Sequence, residues 1–206
     1  MRKVDEYINL LSKRLTRRRF AHSLNVAQSA CLLAEKYGAD SEKAYTAGLL
    51  HDIMKDASGG EQLKIIEMSG HKLTEQELLS PKLWHAIAGA AFVKSELGIG
   101  DREIIEPIRW HTTGKAGMTL PEKIIFIADY ISSDRSYNGI EKMRALAQVS
   151  LEDAMRFALE FTVACLANKG MPIHPDSIGC YNELAVNKIK KGTEKDDTER
   201  IDRNNR

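Results

Sequence analysis

The chain has 206 residues, 43% apolar and 29% charged, with a formal net charge of +1. That length and balance suit one domain with a single large core, and they exclude a global field that would gather a nucleic-acid polymer or an anionic membrane. No run approaches the ~18 apolar residues of a membrane span. The opening Met1-Arg2-Lys3-Val4-Asp5-Glu6 lacks a signal-like apolar stretch, and the three cysteines (Cys31, Cys165, Cys180) show no ligand spacing, so reduced thiols and a cytoplasmic location are expected.

The pattern is helical almost throughout. Val4 to Leu15 reads as a short amphipathic helix, and Thr16 caps a long one from Arg17 to Tyr37 that Gly38 stops. In that long helix Leu24, Ala27, Cys31 and Ala34 recur at three- and four-residue steps, as do Val26, Ala30, Leu33 and Tyr37, which makes it a central element. Lys43 to Met54 follows, ended near Ser58-Gly59-Gly60, then Glu61 to Ser69 and Thr74 to Leu79, bounded by Gly70 and Pro81. Lys82 to Leu97, Arg102 to His111, Pro121 to Ser132, Gly139 to Leu146, Leu151 to Asn168 and Asp176 to Lys190 complete the series. No strand-like alternation and no internal repeat appear. Residues 1–190 read as one domain, and residues 191–206, polar with Ile201 as their one apolar side chain, as a disordered tail.

Chemistry is concentrated in the histidines and two aspartates: His22, the pair His51-Asp52, His85, His111 and Asp129. Helical phase points them inward. His111 shares a stripe with Ile104 and Ile108, and His51 shares a face with the small residues Ala44, Ala47 and Gly48. His85 opens Ala86-Ile87-Ala88-Gly89-Ala90-Ala91, a run suited to close packing. Asp129 follows Ile124-Ile125-Phe126-Ile127-Ala128, where a buried unpaired carboxylate would cost several kcal/mol, so a cation must lie nearby. One inward histidine is an ordinary core residue; four with two carboxylates, spread over five helices, describe a metal site. His71, in the polar Gly70-His71-Lys72 loop, reads as a surface residue.

The order His, His-Asp, His, His, Asp on an all-helical chain resembles the HD-domain superfamily of metal-dependent phosphohydrolases, over roughly Arg17 to Asn187. Narrower runs are similar to the bacterial YqeK-type symmetrical hydrolases of diadenosine tetraphosphate: Arg19-Phe20-Ala21-His22-Ser23, His51-Asp52-Ile53-Met54-Lys55-Asp56, Ala128-Asp129-Tyr130-Ile131, Asp134-Arg135 and Gly170-Met171-Pro172-Ile173-His174-Pro175. The fold this implies is all-α, a single-domain HD-type helical bundle with a buried dinuclear metal site. By the same resemblance His22, His51, Asp52 and Asp129 hold one metal, and Asp52 bridges to a second held by His85 and His111. Mixed imidazole and carboxylate ligands suit iron, manganese, cobalt or zinc better than magnesium, and the resemblance favours iron. Two such cations would acidify a bridging water for attack on phosphorus.

A polyphosphate needs further partners. Arg18 lies one turn before His22, Lys55 one turn after His51, Lys82 three residues before His85, and Arg135 just beyond Asp129; each can reach anionic oxygens. Asn25 and Thr112 are placed to donate hydrogen bonds, His174 to contact a base or ribose, and Asp56 to orient a ligand or water. The partner expected is thus a small nucleotide, with a homodimer as the default assembly. Two readings compete. One is another HD phosphohydrolase acting on a nucleotide or on guanosine tetraphosphate; a cyclic-dinucleotide phosphodiesterase is disfavoured because its Gly-Tyr-Pro motif is absent. The other is a mixed-valent di-iron oxygenase on the same scaffold.

Overall fold

The computed structural model describes the backbone of residues 2–204 and the side chains of residues 3–190. Helices α1 (Arg2–Arg14) and α2 (Arg17–Tyr37) meet at Thr16, whose hydroxyl accepts from the Arg19 N–H. Gly38 ends α2 in the left-handed region, at φ 77°, a conformation that costs glycine nothing. Then come α3 (Ser41–Leu50), α4 (Gly59–Met68), α5 (Glu75–Leu78), a short 3-10 turn (Pro81–Leu83) and α6 (Trp84–Ser95). After these follow α7 (Arg102–Trp110), α8 (Leu120–Ile131), α9 (Ile140–Ala147), α10 (Leu151–Asn168) and α11 (Pro175–Asn204). No strand occurs among the described residues, and the protein is all-α.

Helix α8 is the axis of the packing. It lies against α2, α3, α7, α9 and α10, and Ile124, Ile125, Phe126, Ile127 and Ala128 are all shut from solvent. Five consecutive buried residues mean the helix is covered on every side, as its uninterrupted apolar run implies. Helix α3 packs on α2 through Gly48, where an added Cβ would stand 2.9 Å from Ala27 Cα. That spacing brings α3 against α2 backbone to backbone and fixes how far the chain after α3 reaches into the core.

Two boundaries differ from the periodic pattern. The helix expected to run to Met54 stops at Leu50 and continues as tight turns, with i to i−3 bonds from Ile53 to Leu50, Lys55 to Asp52 and Ala57 to Met54. At the other end, the backbone is helical to Asn204, past the tail boundary at Lys190. Lysine, glutamate and arginine are good helix formers and no proline stops the run, so a polar composition is compatible with helix there. The side chains of 191–206 lie outside the described residues, and with them the unpacked character expected of the tail.

Candidate metal centre

Each ligand candidate comes from a different point in the packing. His22 lies on α2, His85 near the start of α6, Asp129 near the end of α8, and His111 just past α7. His51 and Asp52, adjacent in sequence, stand in the turns after Leu50 and both face the same centre. His22, His51, Asp52, His85 and His111 are all buried, and Asp129 is half-buried.

The side chains form a chain of contacts. The ring centres of His22 and His51 are 5.4 Å apart, those of His51 and His111 5.0 Å, and those of His111 and His85 5.1 Å. His22 Nε2 stands 2.9 Å from Asp129 Oδ1, and His85 Nε2 3.3 Å from Asp52 Oδ1. Ligand atoms of His22, His51 and Asp129 lie within 4.8 Å of one another, as do those of His51, Asp52 and His111.

The opposite nitrogen of each ring decides whether this is a ligand set or a satisfied polar core. Nδ1 of His51 lies 2.7 Å from the Gly48 carbonyl, that of His85 2.7 Å from the Lys82 carbonyl, and that of His111 2.8 Å from the Ile108 carbonyl. A carbonyl oxygen only accepts, so each ring donates from Nδ1 and keeps a lone pair at Nε2, directed at the cluster. His22 Nδ1 is held by Asp134 Oδ2 at 2.8 Å. His22 Nε2, His51 Nε2 and Asp52 Oδ1 are buried without a hydrogen bond. Orphaned buried acceptors are costly. Four imidazole lone pairs and two carboxylates converging in this way fit divalent metal.

Electrostatics agree with that reading. Burial pushes His51 down to about 4, and burial with the Lys55 ammonium pushes His85 well below its usual range, so both rings are neutral. Burial opposes ionisation of Asp52, yet His51, His111 and Lys55 together hold it well below the usual carboxylate range. Burial likewise opposes ionisation of Asp129, and His22 at 2.9 Å, with His51 and Arg135, outweighs it. His22 moves upward, because Asp129 outweighs its burial. Neutral imidazole beside ionised carboxylate is the state that ligates metal.

The remaining sequence candidates divide. Lys55 Nζ lies 3.0 Å from His85 Nε2 and 3.7 Å from Asp52 Oδ1, and burial lowers its pKa. The Arg135 guanidinium pairs with the Asp129 carboxylate and donates to the Asp129 carbonyl at 2.9 Å. Thr112 Oγ1 is 3.5 Å from His85 Nε2, and Asn25 donates to Asp134 Oδ1 at 3.2 Å. Arg18 and Lys82 are exposed, and neither forms an ion pair among the described residues. Asp56 turns away to accept from the Thr16 N–H at 2.7 Å, tying the loop after Asp52 to the start of α2. His174 is buried, 3.6 Å from Glu77 and 3.5 Å from Asp176. His71 is no bystander on the surface: its Nε2 lies 3.3 Å from the buried Glu77 carboxylate, which also pairs with Arg109 at 2.8 Å.

Two residues close to the centre were not singled out by spacing. Arg19, next to Arg18, places its guanidinium 3.1 Å from Asp52 Oδ2, and Asp134 anchors His22. Both stand inside the short motif runs quoted above, which was the available signal. A cavity of about 350 Å³ lies beside the cluster, lined in part by His111, Thr112, Asp129 and Arg135.

Comparison with known proteins agrees with this geometry. The HD domain model matches residues 19–134, which hold all six ligand candidates. A relative from Halalkalibacterium halodurans, named symmetrical bis(5'-nucleosyl)-tetraphosphatase, is 39% identical over 87% of this chain and 95% of its own length. One of the same name from Bacillus subtilis is 38% identical over 87% of this chain and 96% of its own length. The crystal structure of a protein from Clostridium acetobutylicum, described as a predicted HD superfamily hydrolase involved in NAD metabolism, superposes with a TM-score of 0.87 at 34% identity. It covers 89% of this chain and 97% of that one. With the family model over more than half of its length and relatives matched nearly end to end, the chain belongs to the HD domain family.

Proposed function

We propose that this protein cleaves diadenosine tetraphosphate symmetrically to two ADP, using two divalent metal ions held by His22, His51, Asp52, His85, His111 and Asp129. The single observation that carries the metal reading is the set of imidazoles whose Nδ1 atoms are all occupied by carbonyls or a carboxylate while their Nε2 atoms converge. The relatives' shared name supports the substrate and the cleavage mode. When bound, such ions supply an acidified water and neutralise charge on phosphate oxygens.

The chain's own groups do the rest. Asp134 and the carbonyls of Gly48, Lys82 and Ile108 hold the rings in place before substrate arrives, so little reorganisation is needed during reaction. Arg19 fixes the Asp52 carboxylate from the solvent side. Lys55 and Arg135 border the cluster with positive charge, placed for the non-bridging oxygens of the middle phosphates. The ligand chemistry admits manganese, cobalt or zinc, and iron is our assignment. Three free cysteines fit a cytoplasmic setting.

The test is product analysis with metal-stripped and metal-restored protein. Diadenosine tetraphosphate should give ADP alone, and only after metal is restored. ATP plus AMP would overturn symmetric cleavage, metal-independent turnover would overturn the role of the cluster, and an oxygen requirement would move the protein to the oxygenase reading.

A further inference from the structure

We infer that the cavity beside the cluster is a nucleobase slot, in which aromatic side chains hold one adenine of the substrate and Asn138 reads its edge. This rests on the proposed nucleotide chemistry of the site, and it shifts base recognition away from His174, which does not line the cavity.

The cavity is lined by residues of two kinds. His111, Asp129 and Arg135, which line it, belong to or border the cluster, and Tyr130, Tyr137, Met143, Phe157 and Phe161 give it an apolar, largely aromatic wall. Charged groups of the cluster and an aromatic wall in one cavity match the two parts a nucleotide presents, phosphate and base. The phenol groups are already committed. Tyr137 donates to the Tyr130 carbonyl at 3.1 Å, and the Tyr130 and Thr162 hydroxyls are 3.0 Å apart. What these rings offer a ligand is therefore surface for stacking, not hydrogen bonds.

Phe161 lines the cavity and is 60% exposed, which leaves its ring open to a ligand. Asn138 lines the same cavity, and its amide makes no hydrogen bond among the described residues. An asparagine amide can pair in two places with the N6 and N7 edge of adenine. At about 350 Å³ the cavity lies at the small end of ligand sites, room for one nucleoside half. The second nucleoside must then lie outside it, so a symmetric substrate is held unsymmetrically.

The decisive variant is Phe161→Ala, on an exposed side chain whose removal leaves the core intact, with Asn138→Ala alongside. Calorimetric titration of the protein as purified with ADP should show affinity weakened about tenfold by Phe161→Ala, since stacking on one aromatic ring is worth that order of effect. Inorganic tripolyphosphate should bind both proteins equally, and KM for diadenosine tetraphosphate should rise while kcat holds. Asn138→Ala should narrow the preference for ADP over inosine diphosphate. Unchanged ADP affinity, or equal losses for ADP and tripolyphosphate, would overturn the slot. If diadenosine tetraphosphate is hydrolysed with an unchanged KM in Phe161→Ala, the slot fails and the hydrolase reading stands. If ADP binding weakens as expected in a protein that hydrolyses nothing, the slot stands and that reading fails.

Discussion

Replacing Asp134 by alanine tests the centre without touching a ligand candidate. His22 is gripped on both nitrogens, by Asp134 at 2.8 Å on Nδ1 and opposite Asp129 at 2.9 Å on Nε2. Without Asp134 the ring keeps its cluster partner but loses the acceptor that sets its tautomer and rotation. Partners of this kind are worth about 10- to 100-fold in metal affinity, or about 1.4 to 2.8 kcal/mol. The Asp134 side chain is about a third exposed, so its removal opens no core cavity, but the buried His22 Nδ1–H loses its acceptor and the metal-free protein should lose about 1–3 kcal/mol of stability. Titrating metal into stripped protein should show the weakening in Asp134→Ala and a smaller one in Asp134→Asn, whose amide oxygen still accepts. Parent-like affinity in Asp134→Ala would refute the claim that this carboxylate orients His22.

Other outcomes follow from the same geometry. Asp52→Ala should lose nearly all bound metal by elemental analysis, while His85→Ala, on the side of the cluster away from His22, should keep about half; equal metal contents would contradict the two-site division. Gly48→Ala should destabilise by ~1–3 kcal/mol in chemical denaturation and lower metal affinity too, because its Cβ would meet Ala27 Cα at 2.9 Å and push His51 outward. Glu77→Ala should cost about 3 kcal/mol at neutral pH, since it leaves the half-buried Arg109 cation unpaired. Burial opposes ionisation of Glu77, but the Thr74 N–H and Arg109 outweigh it and lower its pKa below 4.5. Its contribution is therefore complete above pH 4.5 and lost as pH falls through the depressed value, so parent and variant denaturation curves should converge in acid.

Much of the centre could be read from spacing, because periodicity reports which face a residue occupies. His111 on the stripe of Ile104 and Ile108, and Asp129 after five apolar residues, had to face inward wherever their helices packed. What spacing does not encode is contact between distant positions. Asp134 reaches His22 across 112 residues, and Arg19 rather than Arg18 meets Asp52 because the turns after Leu50, not a continued α3, set where that carboxylate points. The end of α3 was illegible for a related reason: the run through Met54 is periodic enough for a helix, and nothing in that periodicity marks the change to i to i−3 bonds after Leu50. Asp56 and His174 lie in the quoted motifs, yet Asp56 accepts from the Thr16 N–H and His174 Nδ1 from the Asp176 N–H, contacts that spacing does not encode.

Symmetric cleavage requires attack by water on a middle phosphorus of diadenosine tetraphosphate. Its most direct test is a single turnover of diadenosine tetraphosphate by the metal-loaded protein in oxygen-18 water, with products separated and weighed. ADP should be the only nucleotide, with one labelled oxygen on the terminal phosphate of one ADP for each substrate consumed. Labelled AMP or ATP, or ADP carrying no label, would contradict it.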